Sequence, residues 1–280
     1  PESEIRNHVM MFRPCVPFLF GALGFALILV ACGGSLNKET IRSTVTPEAQ
    51  FEMSTRSGTL KDPASYEAMF FLPEVVDAKL PLLLYLHGAG EMRGELHEII
   101  SEGATGTPPV ELSYGRAPKT LSQRFAVVAP HTSQGWSLEA INRFMDFLLA
   151  DKSLNLDPTR LYVTGHSMGG AGALLAATSH RFAAAVPVAA SGAPRASSVQ
   201  GVPIWAFHGS NDVIVPSVVS KDLIEALWNA GASKDDVKLT LYEDAPAPPG
   251  WPDYFGHAST IPAYATLDLY DWLLQHHLDK

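Results

Sequence analysis

Residues 161–170, Leu-Tyr-Val-Thr-Gly-His-Ser-Met-Gly-Gly, constrain this chain more than any other stretch. Leu161 to Val163 is a short apolar run of strand formers, and residues 171–177 are rich in helix-forming Ala and Leu. Between them Gly165 and Gly169 flank Ser167 at i−2 and i+2. The segment reads as a strand, a sharp turn carrying the serine, and the start of a helix. On so tight a turn the serine backbone is strained, and side chains at the two flanking positions would collide with the neighbouring strand and helix, so glycine there is a steric requirement. The turn lifts the hydroxyl clear of any sheet built around it, and the Met168 amide at the helix N-terminus points where a developing oxyanion would sit. A glycine-rich turn of no chemical consequence can show the same five residues. The rest of the chain has to discriminate.

Residues 1–9 are polar and precede Met10 and Met11, so they read as upstream sequence. Arg13 then supplies a positive charge, residues 16–31 form an uncharged apolar run, and Leu29-Val30-Ala31-Cys32 closes it. This resembles a bacterial lipoprotein signal, whose lipobox ends in the cysteine that becomes lipidated. The resemblance implies that residues 1–32 are upstream sequence and signal peptide. It also implies that Cys32 is the lipidated mature N-terminus, and that a lipid anchor attaches the protein to a membrane of the bacterial cell envelope. The run is slightly short of the roughly 20 apolar residues of a spanning helix; an uncleaved anchor is the alternative, and either places the domain outside the cytoplasm. Residues 33–50, rich in Gly, Ser, Thr and charge and without periodicity, read as a flexible tether. Both cysteines, Cys15 and Cys32, lie ahead of this tether, so residues 51–280 contain no disulfide, thiol nucleophile or thiolate metal site.

The segment 51–280 belongs to a chain that is 46% hydrophobic, enough for one large core. A net charge of −9 with no basic run removes the electrostatic footprint of a nucleic-acid binder. Residues 66–72 suggest an early strand in an antiparallel pair. Residues 80–86 are apolar on both faces, as a central parallel strand between helix layers should be. Residues 91–123 are polar, rich in Gly and Pro and poorly periodic, which predicts a loop region with a short helix at 96–101. Further strands are expected at 125–129, 161–163, 182–190, 202–207 and 237–242. Helices are expected at 137–150, capped by Ser137, at 217–230 and at 262–278, and a turn at 155–158. Such alternation predicts a single α/β domain, a mostly parallel twisted sheet with helices on both faces.

In an open parallel sheet the site gathers at the carboxyl ends of the strands. Following the expected strands are His87-Gly88-Ala89-Gly90-Glu91, then Ser167, then His208-Gly209-Ser210-Asn211-Asp212, then a long loop ending in Gly256-His257-Ala258. The chain order Ser, Asp, His is one of the orders in which a nucleophile, base and orienting acid occur. With these motifs, residues 51–280 resemble the α/β-hydrolase superfamily. More narrowly they resemble its secreted esterase branch, related to feruloyl esterases, polyhydroxybutyrate depolymerases and predicted peptidases. The resemblance implies Ser167 as nucleophile, His257 as base, Asp212 as the carboxylate that fixes the imidazole, and the amides of Ala89 and Met168 as the oxyanion hole. It implies no cofactor, and a small-molecule or oligomeric ester as substrate. Secreted polyester depolymerases of this kind usually carry disulfides, and here the sequence departs from them.

His87 and His208 precede glycines at strand ends and are expected to support loops rather than to catalyse. His131, His166 and His180 lack metal-ligand spacing, and neither H-x-x-x-H nor C-x-x-C occurs, so no metal is expected. Asp244 and Asp253 compete with Asp212 for the acid role but lie in the Pro-rich approach to His257. Trp136 and the cluster Trp251, Tyr254 and Phe255 fall in loops beside the expected site, where flat rings would bind an acyl or aromatic group; the alternative is that they cover the core. The stretch 91–123 is too short and polar for the apolar lid of a lipase, which points to an open cleft and short-acyl or feruloyl-type aromatic esters. Rival readings are a serine peptidase on the same framework, a polyester depolymerase, and a non-catalytic binding lipoprotein.

Overall fold

The computed structural model describes residues 55–74 and 78–279, all within one compact unit spanning Gln50–Lys280. The signal-like segment, Cys32 and the expected tether lie outside the described residues. The strands are β1 (Thr55–Lys61), β2 (Glu67–Pro73), β3 (Leu80–Leu86), β4 (Ala126–His131), β5 (Leu156–His166), β6 (Ala184–Val188), β7 (Ile204–Gly209) and β8 (Val237–Tyr242). They form an eight-stranded sheet in the order β1-β2-β4-β3-β5-β6-β7-β8. β2 pairs antiparallel with both β1 and β4, and every other pairing is parallel. The helices are α1 (Pro108–Ser113), α2 (Lys119–Arg124), α3 (Leu138–Ala150), α4 (Met168–Ala177), α5 (Val218–Asn229), α6 (Thr260–Ala265) and α7 (Leu267–Gln275).

All seven residues of β3 are buried, and the pleat sends alternate ones to opposite faces. Leu82, Leu84 and Leu86 join a core with Ile141, Phe144 and Leu148 of α3, Leu174 of α4 and Ile224 of α5. Leu83 and Tyr85 join the opposite core with Leu121 of α2, Tyr264 of α6 and Tyr270 and Trp272 of α7. A strand covered by helices on both faces needs apolar residues at every position, which is why its sequence shows no alternation.

Three expectations change. Residues 91–123 are not a loose loop: they form 3-10 turns at Gly90–Arg93, Leu96–Ile100 and Glu102–Ala104, followed by α1 and α2. Ile99, Val110, Leu112 and Leu121 are buried there. Elements of one or two turns are too short to show a 3.6-residue period, and Pro108 and Pro109 sit in the first turn of α1, where a missing amide costs nothing. The last helix is two: α6 and α7 are separated by Thr266, whose extended backbone (φ −68°, ψ 109°) caps α7. β5 begins at Leu156 rather than Leu161, because Asn155 adopts the left-handed region (φ 48°) and completes the turn before the strand starts. Ser137 caps α3 as expected, accepting from the Ala140 amide.

Candidate active site

Between β5 and α4, Ser167 has φ 55° and ψ −113°. This backbone is strained by about 1–3 kcal/mol for a residue with a Cβ, and it persists only where the surroundings over-determine it. Here they do. The Ser167 amide donates to Val188 O at 2.9 Å, and its carbonyl accepts from Ala171 N at 3.1 Å and Ser191 N at 3.0 Å. A Cβ on Gly165 would lie 2.3 Å from Gly169 O and 2.5 Å from Leu86 O, and one on Gly169 only 1.8 Å from Leu86 O. The two glycines therefore let β3, β5 and α4 meet at backbone contact under the serine.

Two other loops reach this turn. His257 Nε2 lies 3.0 Å from Ser167 Oγ, and His257 Nδ1 lies 2.8 Å from Asp212 Oδ2. With Nδ1 donating to the carboxylate, Nε2 is left to accept from the hydroxyl, an assignment that follows from the partners. Asp212 Oδ1 accepts the amides of Ile214 and Val215, each at 2.9 Å, and Oδ2 lies 3.5 Å from His208 Nε2. Burial alone would raise the Asp212 carboxyl. The hydrogen bonds from His208, His257 and Val215 outweigh it and hold the group well below the usual carboxylate range. Neither Asp244 nor Asp253 takes this place: Asp244 lies 3.4 Å from Asn211 Nδ2, and Asp212 occupies the imidazole nitrogen. The acid and base loops touch through backbone. A Cβ on Gly256, whose φ is 79°, would lie 2.3 Å from the Asp212 amide nitrogen.

The histidines expected to be supports are placed as supports. His208 is fully buried, with Nδ1 2.8 Å from Ser220 Oγ and Nε2 3.0 Å from Val215 O, so it holds the loop that carries Asp212. His87 donates from Nδ1 to Gly88 O at 2.7 Å and accepts the Thr132 amide on Nε2 at 3.1 Å; burial lowers it to about 4. His166 was missed. Its Nε2 donates to the His257 carbonyl at 2.7 Å, tying the base to the residue before the nucleophile, and burial lowers it to about 4. A bond between residues so far apart in sequence leaves no local signature.

A cleft of about 560 Å³ opens over Ser167, lined among others by Ala89, Glu91, Arg93, Ile214, Trp251, Tyr254 and His257. Trp251 and Tyr254 form an edge-to-face pair at 5.2 Å on its wall, and Trp251 and Phe255 are exposed. Trp136, expected to bind substrate, does not line the cleft. Its indole packs edge-on against Tyr66 and His87, covers Gly172 and donates from Nε1 to His87 O at 3.0 Å. The reason is steric: Gly172 in α4 leaves a gap that the ring fills. Ala89 borders the cleft, and Met168 begins α4 beside the serine. Among the described residues no group of three or more His, Cys, Asp or Glu side chains could hold a metal ion, and no helix is long and apolar enough to cross a membrane.

Comparison with known proteins points the same way. The PET hydrolase-like (PETase) family matches residues 131–239, a stretch that contains Ser167 and Asp212 and stops short of His257. No curated protein matches the chain. Among solved structures, a thermostable esterase is similar over 80% of this chain at 28% identity and a TM-score of 0.64; the match covers 63% of the esterase, so this chain spans less than two thirds of its length. A Klebsiella pneumoniae subsp. pneumoniae protein assigned as a dienelactone hydrolase matches over 79% of this chain and 99% of its own, at 16% identity and a TM-score of 0.57, and shows the fold alone. The fold is that of the α/β-hydrolases.

Proposed function

We propose that this chain is a serine ester hydrolase working through an acyl-enzyme. The observation that carries the reading is the unbroken hydrogen-bond chain from Ser167 Oγ through His257 to Asp212, which starts at a strained serine in the lining of a cleft. Ser167 Oγ attacks the ester carbonyl carbon as its proton passes to His257 Nε2. Asp212 stays ionised and stabilises the imidazolium without taking the proton. The amides of Ala89 and Met168 meet the charge on the carbonyl oxygen, where loss of one such donor typically costs about 3 kcal/mol. His257 then gives its proton to the departing alcohol oxygen. Water, deprotonated by the same nitrogen, attacks the acyl-serine and releases the acid.

Short-acyl or aromatic esters suit a cleft walled by Trp251 and Tyr254. A second reading, an aromatic polyester as substrate, is favoured by the PET hydrolase-like match and by the exposed ring of Trp251 in the cleft lining. Lipidation of Cys32 and attachment to the cell envelope belong to the same proposal and rest on the sequence. Cys32→Ser should move the protein from the membrane to the soluble fraction of a bacterial host.

The test is turnover of p-nitrophenyl butyrate together with labelling by a fluorophosphonate. Label should appear on Ser167, and Ser167→Ala should lose both label and at least about a thousandfold in kcat with an unchanged melting curve. A Ser167→Ala variant that keeps a tenth of the activity would overturn the assignment. Film hydrolysis of an aromatic polyester decides the second reading.

A further inference from the structure

The scheme above leaves one buried carboxyl at the cleft unused. Glu91 lines the cleft, its side chain is 11% exposed, and among the described residues no lysine or arginine pairs with it. The imidazole at 3.9 Å, His87 Nδ1, directs its hydrogen to Gly88 O instead. Burial pushes the Glu91 carboxyl up from its usual range, while the amides of Glu91 itself and of Gly88 face it and favour its charge. The side chain therefore folds back over its own turn. Glu91 Oε2 lies 3.3 Å from where a Cβ on Gly88 would be, with His166 O and Nδ1 at 3.4 and 3.5 Å from the same point. On this side Gly88 thus meets both the carboxylate and the residue that precedes the nucleophile.

Histidines hold two carbonyls of this turn. His87 holds Gly88 O, and His131 Nε2 donates to Glu91 O at 3.0 Å. Ala89, between them, takes helical backbone angles (φ −72°, ψ −19°) at the start of a 3-10 turn. Beside these two carbonyl contacts, the Glu91 carboxyl faces the amides of Gly88 and of Glu91 itself. We propose that Glu91 is a positioning residue for the turn 88–91: its carboxylate, beside Gly88, keeps that residue where the Gly88–Ala89 peptide, held at its carbonyl by His87, aims the Ala89 amide into the cleft. The proposal rests on the reading of Ala89 as an oxyanion donor.

The experiment compares Glu91→Ala, Glu91→Gln and Ser167→Ala in the full chain with p-nitrophenyl butyrate, and measures inhibition by butylboronic acid, whose serine adduct places an oxygen in the oxyanion site. Glu91→Ala should lose about 10- to 100-fold in kcat with KM within threefold. Its boronate inhibition constant should rise by a similar factor, and Glu91→Gln, which keeps one acceptor oxygen, should recover most of the loss. Wild-type kcat in Glu91→Ala, a change confined to KM, or unchanged boronate inhibition would each overturn the proposal. If Glu91→Ala does not fold, Glu91→Asp replaces it: its carboxylate falls one methylene short of Gly88 and should lose kcat likewise, with wild-type kcat again overturning the idea. Failure of the acyl-enzyme reading shows separately, as turnover retained by Ser167→Ala.

Discussion

At the scale of single residues, the site depends on positions where no side chain fits. A methyl group on Gly169 would lie 1.8 Å from the backbone oxygen of Leu86, and backbone at the centre of a sheet cannot give way as a flexible side chain can. Gly169→Ala should therefore cost more than about 4 kcal/mol or prevent folding, whereas Gly192→Ala, with nothing within 4 Å of the new methyl, should stay within about 0.5 kcal/mol. Urea unfolding of the two variants checks the contrast, and equal midpoints would contradict it. Asp212→Asn tests a different property of a single group. An amide cannot carry the charge that balances an imidazolium, and it can turn its NH₂ toward His257 Nδ1, which favours the wrong tautomer. The expected loss in kcat is about ten-thousandfold with the fold intact. A loss below tenfold would show that another carboxyl, Asp244 or Asp253, serves His257.

At the scale of elements, loops that looked independent are tied together by side chains the chemistry does not use. Trp136 precedes α3 yet acts on the turn after β3, where it caps the His87 carbonyl and fills the space above Gly172. Trp136→Phe keeps most of the packing and removes one hydrogen bond. It should cost about 1 kcal/mol of stability and leave KM for any ester within twofold; a tenfold rise in KM would return Trp136 to the substrate site. The same logic explains why Trp136 stands away from the cleft while Trp251 and Tyr254 line it. All three stand in loops, and nothing local separates a ring that faces a cleft from one that faces a helix. The segment 91–123 differs from its expectation for a related reason. Its 3-10 turns and short helices bury isolated residues such as Ile99 and Leu121 against a sheet whose position the segment itself does not specify.

For the whole molecule, two histidines that lose solvent on folding, one fully buried and one partly, predict how stability responds to acid. His87 and His166 are held at about 4 in the folded state against about 6.5 unfolded. Between these values the unfolded chain binds more protons, so stability is full above about pH 6.5 and falls as pH drops toward 4. Each histidine contributes on the order of 3 kcal/mol to that fall. Below about pH 4 the depressed Asp212 carboxyl continues it, its stabilisation being lost as it protonates. His166→Asn should be less stable than wild type at pH 7 but should show a shallower decline to pH 4.5 in urea midpoints; parallel declines would exclude His166 as a source. Substrate range is also a property of the whole fold. The connection between β6 and β7, residues 189–203, holds one short 3-10 turn at Ala196–Ser198 and no helical lid. With little to cover a long chain, each CH₂ left in water forgoes about 0.8 kcal/mol, so butyryl esters should exceed palmitoyl esters in kcat/KM. A tenfold preference for palmitoyl would overturn that expectation.

The sequence by itself determined what depends on neighbours along the chain. Gly165 and Gly169 around Ser167 specify a strained turn, the unbroken apolar run 80–86 specifies a doubly covered strand, and the residues at strand ends name the groups that meet. These are legible because steric exclusion and apolar periodicity act within a few residues. Tertiary structure decided what depends on residues far apart: that Asp212 rather than Asp244 or Asp253 reaches His257, that His166 holds the His257 carbonyl, that Trp136 leaves the cleft, and that Glu91 turns back onto Gly88. Each of these is a choice between chemically similar side chains. The choice rests on directions set by strand order and loop closure, and the energy of one hydrogen bond or one filled gap leaves no periodic trace in the residues that make it.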